Sequence, residues 1–386
     1  MGKTKNTSQI ALNTLKEKHQ IWHNPLLISC KNGLLTKEDF SYLFSQYYFY
    51  SKNFTKLISA GMINFDDDKH RAKLSQNLWE ESGEKDIELR HSELFRKFLI
   101  NELGIDITSI LFEEYTLYFF KQYLDLCLYS GTAESAAILS FATEGIISKL
   151  YTIFKQGLLN VGIKETGVEF FTQHIICDDD HALTLEEIAL SYQHEENWFN
   201  RCKNAIIKAL DLRDIFFTHI HKTLQLKKLN QLVERASTPA NFNIEKYDLK
   251  KLKNPVNETN NKLYFNENLT ENIKFTVDRI PISPDILDPR ILCIPPGFNN
   301  EFHRHAHETI FFVIEGIGRV IIDNESIPIK PLDTVFVPRW VQHQTINTGK
   351  TELKIFAVTD YNFTKRFPKN TEQIYRLNKE NVAIKT

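Results

Sequence analysis

Along residues 7–226 the apolar positions recur every three or four residues, and along residues 263–358 they alternate with polar ones. The first period predicts amphipathic helices and the second predicts half-buried strands. In the helical part, Asn24-Pro25 opens one helix. Gly33 marks a turn, and Thr36 stands where an N-cap would, with Asp39 three positions later. Residues 40–63 are aromatic-rich and read as one long helix, with further helices over 67–81, 91–103, 109–129, 132–158, 168–179, 184–202 and on to 226. A run of about eight helices with short links predicts an all-α bundle. Strands are expected at 274–277, 290–294, 308–314, 318–322, 334–337 and 353–358, divided by Pro-Gly, Glu-Gly, Asp-Asn and Thr-Gly turns. Strands this short, with turn signals at this spacing, predict a small barrel or jelly roll. The chain is therefore expected to be an α plus β multidomain protein. Its bundle would occupy 1–226, a polar linker 227–255, a β domain 256–360 and a charged tail 361–386.

Composition narrows the function classes. The 386 residues are 42% hydrophobic, with 28 Phe and 14 Tyr but only 2 Met, so the cores should be aromatic and stiff. Net charge is −2, and no run of Lys or Arg is long enough to follow a phosphate backbone, so no nucleic-acid partner is expected. Residues 1–13 are polar and lack the apolar centre of an export signal, and no uninterrupted apolar window reaches membrane-spanning length. No membrane association is expected. The five cysteines are scattered without paired spacing, which suits a reducing cytoplasm. Phe- and Tyr-rich helices are compatible with a homodimer.

Two stretches carry candidate chemistry. In His174-Ile175-Ile176-Cys177-Asp178-Asp179-Asp180-His181, residues His174, Asp178 and His181 fall within roughly 60° of arc on a helix, pointing two imidazoles and a carboxylate one way. The same spacing fits a solvated acidic face. In the β part, Pro296-Gly297-Phe298-Asn299-Asn300-Glu301-Phe302-His303-Arg304-His305 and Pro338-Arg339-Trp340-Val341-Gln342-His343 resemble the two motifs of the cupin family. That resemblance, over residues 283–358, implies a barrel with one metal ion on His303, His305 and His343. Two residues one apart on a strand face the same side, which suits such a pair. His307 alternates with His305 and is the rival ligand. The family's glutamate falls on Thr309 and a glycine of its second motif on Leu332. With three neutral imidazoles and no carboxylate, the ion would keep its full charge and open positions, which suits Fe(II).

Asn77-Leu78-Trp79-Glu80-Glu81-Ser82-Gly83, His91-Ser92-Glu93-Leu94-Phe95 and Phe141-Ala142-Thr143-Glu144-Gly145 resemble stretches of the haem-oxygenase-like non-haem diiron oxidases. The resemblance covers residues 25–210 and gives the opening helix its neighbours. It implies two Fe(II) held by Glu81, His91, Glu144, His174, Asp178 and His181, with Glu80 as rival for Glu81 and Glu134 as rival for Glu144. Glu81 and His91 are ten residues apart, about 80° out of phase on a continuous helix, so they share a metal only if the helix breaks. Gly83 and Glu84-Lys85-Asp86 supply that break. Cys177 has no base obviously paired to it and reads as a small core residue.

The order of bundle and three-histidine cupin is similar to that of the N-nitrosourea-forming enzymes of streptozotocin biosynthesis. That similarity implies N-hydroxylation of an amino-acid guanidine or amine in the bundle and oxidative rearrangement of the product, of N-nitroso type, in the cupin. Partners would be that small-molecule substrate, O₂ and an electron donor. Two alternatives stay open. One is a diiron oxidase for C–C cleavage or desaturation with an accessory cupin dioxygenase, and the other is a small-molecule sensor with an inert bundle.

Overall fold

The computed structural model describes residues 7–177, 179–237, 262–280, 282, 284–364 and 376–378. The chain divides into two compact units, Met1–Lys228 and Leu229–Thr386.

The first unit is helical, and its last helix runs on past Lys228: α1 Thr7–Lys18, α2 Pro25–Lys31, α3 Lys37–Lys52, α4 Phe54–Ile63, α5 Asp68–Glu81, α6 His91–Asn101, α7 Glu114–Tyr129, α8 Thr132–Ala137, α9 Ile147–Asn160, α10 Glu169–Cys177, α11 Asp179–Ser191 and α12 Trp198–Ser237. Local chemistry accounts for several starts. Asn24 accepts from the Leu26 amide ahead of Pro25, which needs no amide partner at the first helical position. Thr36 and Asp39 form a capping box, with Thr36 Oγ1 accepting from the Asp39 amide at 3.2 Å and Asp39 Oδ2 from the Thr36 amide at 2.9 Å. The long helix read over 40–63 breaks at Asn53 into α3 and α4. The one read over 184–202 is likewise two, since α11 stops at Ser191 and α12 starts at Trp198. Helix α12 runs past Leu226 to Ser237, so the change to polar composition at Lys227 does not coincide with its end.

The core is aromatic, as the composition implies. Phe44 meets Phe95, Phe98 and Phe154 edge-on at centroid separations of 5.9, 5.6 and 5.3 Å. Each such pair adds about 0.5–1.5 kcal/mol beyond its buried area. Residues 132–160 are apolar enough to cross a membrane, but 72% of the apolar window is buried in the bundle, which explains its character without a lipid partner.

The second unit is antiparallel β: β1 Lys262–Asn268, β2 Ile273–Arg279, β3 Asp288–Ile294, β4 His303–His305, β5 Thr309–Glu315, β6 Gly318–Ile322, β7 Glu325–Ile329, β8 Thr334–Val337, β9 His343–Asn347, β10 Leu353–Thr359 and β11 Arg376–Asn378, with a helical turn α13 at Tyr361–Thr364. One sheet runs β1-β2-β3-β10-β5-β8 and the other β11-β4-β9-β6-β7. Strand β5 alternates buried and exposed residues, turning Thr309, Phe311 and Val313 inward. Strand β11, from the charged tail, pairs with β4 so that Arg376 stands opposite His305 and Asn378 opposite His303. Leu332, at the glycine position of the second cupin motif, has φ +76, a left-handed conformation that disfavours a branched side chain. An N-terminal helical domain followed by an antiparallel β domain of two sheets is the architecture of the chain.

Candidate metal centres

Helix α5 ends at Glu81, and Gly83 (φ +89) and Glu84 (φ +53) turn the chain before α6 begins at His91. A side chain at Gly83 would meet the Arg90 backbone nitrogen at 2.6 Å, so glycine is required for this tight reversal. The reversal brings Glu81 Oε2 to 2.9 Å from His91 Nδ1. On α10, His174 Nδ1 donates to the Phe170 carbonyl at 2.7 Å, which leaves Nε2 as a lone pair 3.1 Å from His91 Nδ1. Burial, with His91 beside it, pushes the His174 pKa down to about 4, so the ring is neutral and able to ligate.

Glu144 arrives by a different device. The helix read as continuous over 132–158 is interrupted by a π-helical turn at Ile138–Thr143 and a 3₁₀ turn at Glu144–Ile146. Thr143 Oγ1 donates to the Ile138 carbonyl, and the Tyr123 hydroxyl donates to the Ala142 carbonyl at 2.9 Å and lies 2.7 Å from Thr143 Oγ1. Ser140 Oγ donates to the Ala182 carbonyl at 2.8 Å, tying this turn to α11 beside His181. Such π turns gather at functional sites. A glycine inside an otherwise helical stretch was the available signal: a Cβ at Gly145 would lie 2.6 Å from the Ser140 carbonyl oxygen.

Ligand atoms of Glu81, Glu144 and His181 lie within 4.8 Å of one another, all buried. Glu81 thus belongs to both groups, facing His91 and His174 on one side and Glu144 and His181 on the other. Glu80 sits at the rim, its Oε2 2.5 Å from His181 Nε2, and this hydrogen bond holds the Glu80 carboxyl below the usual range. Glu134 pairs with Arg201 instead. Asp178 and the Cys177 side chain lie outside the described residues. Two carboxylates buried together are costly unless a cation lies between them. The buried Nδ1 of His181 has no hydrogen-bond partner among the described residues. Both observations fit a metal ion.

In the β unit, His303 on β4 stands opposite His343 on β9. Nδ1 of His303, His305 and His343 bonds the carbonyls of Glu301, His307 and Val341 at 2.8, 2.8 and 2.9 Å. A carbonyl only accepts, so each Nδ1 carries the proton and each Nε2 is a lone pair. The three rings present ligand atoms within 4.8 Å of one another, an arrangement that repels itself unless a cation takes the lone pairs. His307 lies in the bend after β4 and stacks flat on His305 at 3.7 Å and 7°, outside the cluster. Thr309 Oγ1 is buried without a hydrogen-bond partner among the described residues. The histidines line a cavity of about 350 Å³ whose other walls include Tyr264, Arg279, Arg290, Thr309 and Tyr361. Sequence reasoning had given no role to Tyr123, Ser140, Arg279 or Arg290.

Comparison with known proteins agrees with this division. Residues 41–214 match the family model described as iron-containing redox enzyme, and residues 290–359 match that of the cupin domain. The chain carries an iron-containing redox enzyme domain followed by a cupin domain. An uncharacterized protein of Methanocaldococcus jannaschii is 35% identical over 65 residues, which are 17% of this chain and 52% of that protein. A 5-nitrosalicylic acid 1,2-dioxygenase of Bradyrhizobium is 28% identical over 78 residues, 19% of this chain and 38% of that enzyme. The chain thus spans about half the length of the first relative and less of the second. Among solved structures, a predicted oxalate decarboxylase from Thermotoga maritima is 24% identical, covering 22% of this chain and 80% of that one at a TM-score of 0.21. A salicylate 1,2-dioxygenase from Pseudoaminobacter salicylatoxidans is 20% identical, covering 23% of this chain and 27% of that one at a TM-score of 0.22. In the redox domain Glu81, His91, Glu144, His174 and His181 would hold iron, and in the cupin His303, His305 and His343 would do so.

Proposed function

We propose that the chain is an iron- and O₂-dependent oxygenase with two sites. The redox domain would use two Fe(II) to hydroxylate nitrogen on an amino-acid guanidine or amine, and the cupin would use one Fe(II) to rearrange the product oxidatively, to an N-nitroso type. The observation that carries this reading is the presence in one chain of two buried ligand sets, one centred on Glu81 and one of three histidines whose Nδ1 atoms are all tied to carbonyls.

Iron, when bound, supplies electrons to O₂ and a positive charge that binds it. Hydroxylating one nitrogen consumes O₂, two electrons and two protons and releases water, so an electron donor is required. The protein's own groups do the rest. Neutral His174 adds no charge, while Glu81 and Glu144 offset that of the cations. Glu80, bonded to His181 at the rim, orients that imidazole. In the cupin, Phe275, Leu292 and Phe311 keep the cavity apolar beside the histidines and limit water there.

A second reading assigns C–C cleavage or desaturation to the redox domain and ring-opening dioxygenation to the cupin. The similarity to the nitrosalicylate dioxygenase favours it. Anaerobically purified protein, loaded with Fe(II) and exposed to O₂ with Nω-methyl-L-arginine, separates the two. A product heavier by oxygen on nitrogen supports the first reading, and loss of CO₂ or a fragment supports the second. No O₂ uptake with any guanidine or amine tested would remove the first, and a passive sensor would consume none with any substrate.

A further inference from the structure

We propose that the cupin cavity takes a substrate carrying a carboxylate, and that Arg290 and Arg279 clamp it. The proposal rests on the cupin being a site of substrate chemistry and adds the group by which substrate is held.

Arg279 on β2 and Arg290 on β3 are cross-strand partners and both line the cavity. They share one carboxylate. Asp288 Oδ1 takes Arg279 Nε at 3.1 Å, and Asp288 Oδ2 takes Arg279 Nη2 at 3.3 Å and Arg290 Nε and Nη2 at 2.9 and 2.6 Å. Asp288 is 2% exposed and does not line the cavity, so it holds the guanidiniums from behind. Among the described residues no Asp or Glu lines the cavity and neither arginine has a second carboxylate. Two permanent cations on one anion leave a net positive charge at the wall, and neither Nη1 is spent on Asp288.

The clamp is also fixed with respect to the histidines. The Arg290 guanidinium lies 5.0 Å from the Tyr361 ring centre, Tyr361 meets His307 edge-on at 5.6 Å, and His307 stacks on His305. A ligand anchored by its carboxylate at Arg290 therefore extends toward the three-histidine cluster along a wall built from these rings. The cavity of about 350 Å³ has room for a molecule of amino-acid or hydroxyaromatic-acid size. Thr309, inward on β5 with its hydroxyl uncommitted, replaces the carboxylate that would have opposed an anionic ligand there.

The test is calorimetric titration of the full chain loaded with redox-inert Zn(II), using two acid/amide pairs: Nω-methyl-L-arginine with its carboxamide, and salicylate with salicylamide. The acid of at least one pair should bind roughly 10- to 100-fold more tightly than its amide, the scale of a charge-assisted hydrogen bond. Arg290→Gln should abolish that preference and Arg290→Lys retain part of it. Asp288→Asn releases both guanidiniums and should widen the preference, a gain that misfolding cannot mimic. Equal binding of acid and amide, no binding of any probe, or a preference untouched by both Arg290→Gln and Asp288→Asn would overturn the clamp. If the salicylate pair alone shows the Arg290-dependent preference, the clamp stands and the nitrogen-oxygenation reading falls. If methylarginine and its carboxamide bind equally well and the salicylate pair shows no preference either, the clamp falls and that reading survives.

Discussion

Glu81 Oε2 and His91 Nδ1 lie 2.9 Å apart although they end one helix and begin the next. Their meeting depends on Gly83, whose φ of +89 no branched side chain adopts cheaply. Gly83→Val should separate the two residues and cost about 1–3 kcal/mol of bundle stability. Iron analysis should show the redox domain depleted while the cupin ion remains. An unchanged iron content would mean that the turn does not position the site.

Tyr123 acts at a distance from the ligands. Its hydroxyl bonds the Ala142 carbonyl and contacts Thr143, so it braces the π turn that ends at Glu144. Tyr123→Phe removes those bonds without changing ring packing and should cost about 1–3 kcal/mol by leaving buried acceptors unmet. Metal should bind more weakly in the redox domain, read as the Fe(II) concentration for half-loading, with cupin loading unaltered.

His307 and its neighbours separate by role. His307→Ala should leave iron in the cupin, because its ring stacks on His305 outside the cluster. His305→Ala or His343→Ala should empty it. Metal analysis of an isolated cupin is unnecessary, since the three variants differ only at this site in the full chain.

His221 sets a pH dependence. It is buried, 3.2 Å from Gln225 Nε2, and burial pushes its pKa down to about 4 from the ordinary 6.5. Between those values the unfolded chain binds the proton and the folded chain does not. Stability therefore rises with pH through this window, by at most about 1.4 kcal/mol per pH unit for this group, and falls as pH drops toward 4. Denaturant titration of metal-free protein should give a shallower slope for His221→Gln than for wild type.

Leu332 is a place where the chain carries strain without visible return. It is 78% exposed at φ +76. Leu332→Gly should stabilise the cupin by up to about 1 kcal/mol, the left-handed penalty less the added freedom of the unfolded chain, seen as a higher cupin melting temperature.

Much of this was legible in local pattern. Thr36 and Asp39 announced a capping box, alternation placed the edges of β6 and β8, and the spacing of Glu81 and His91 demanded a broken helix at Gly83. What pattern could not supply was tertiary. The π turn before Glu144 is held by Tyr123 from α7 and tied to α11 by Ser140. Arg279 and Arg290 are eleven residues apart in sequence, and only the pairing of β2 with β3 places both over Asp288. The tail strand beside His303 and His305 has too little apolar pattern to announce itself. Asn53, which divides α3 from α4, leaves the helical range with φ −109° and ψ 10°, and no Gly or Pro beside it marks the break in the sequence.

The most direct measurement is iron per chain for wild type beside His181→Ala and His303→Ala, each reconstituted anaerobically with Fe(II). Wild type should hold about three, His181→Ala should lose iron only from the redox domain and His303→Ala only the cupin ion. Wild type holding one iron or none, or either variant losing metal from both domains, would contradict the two-site account.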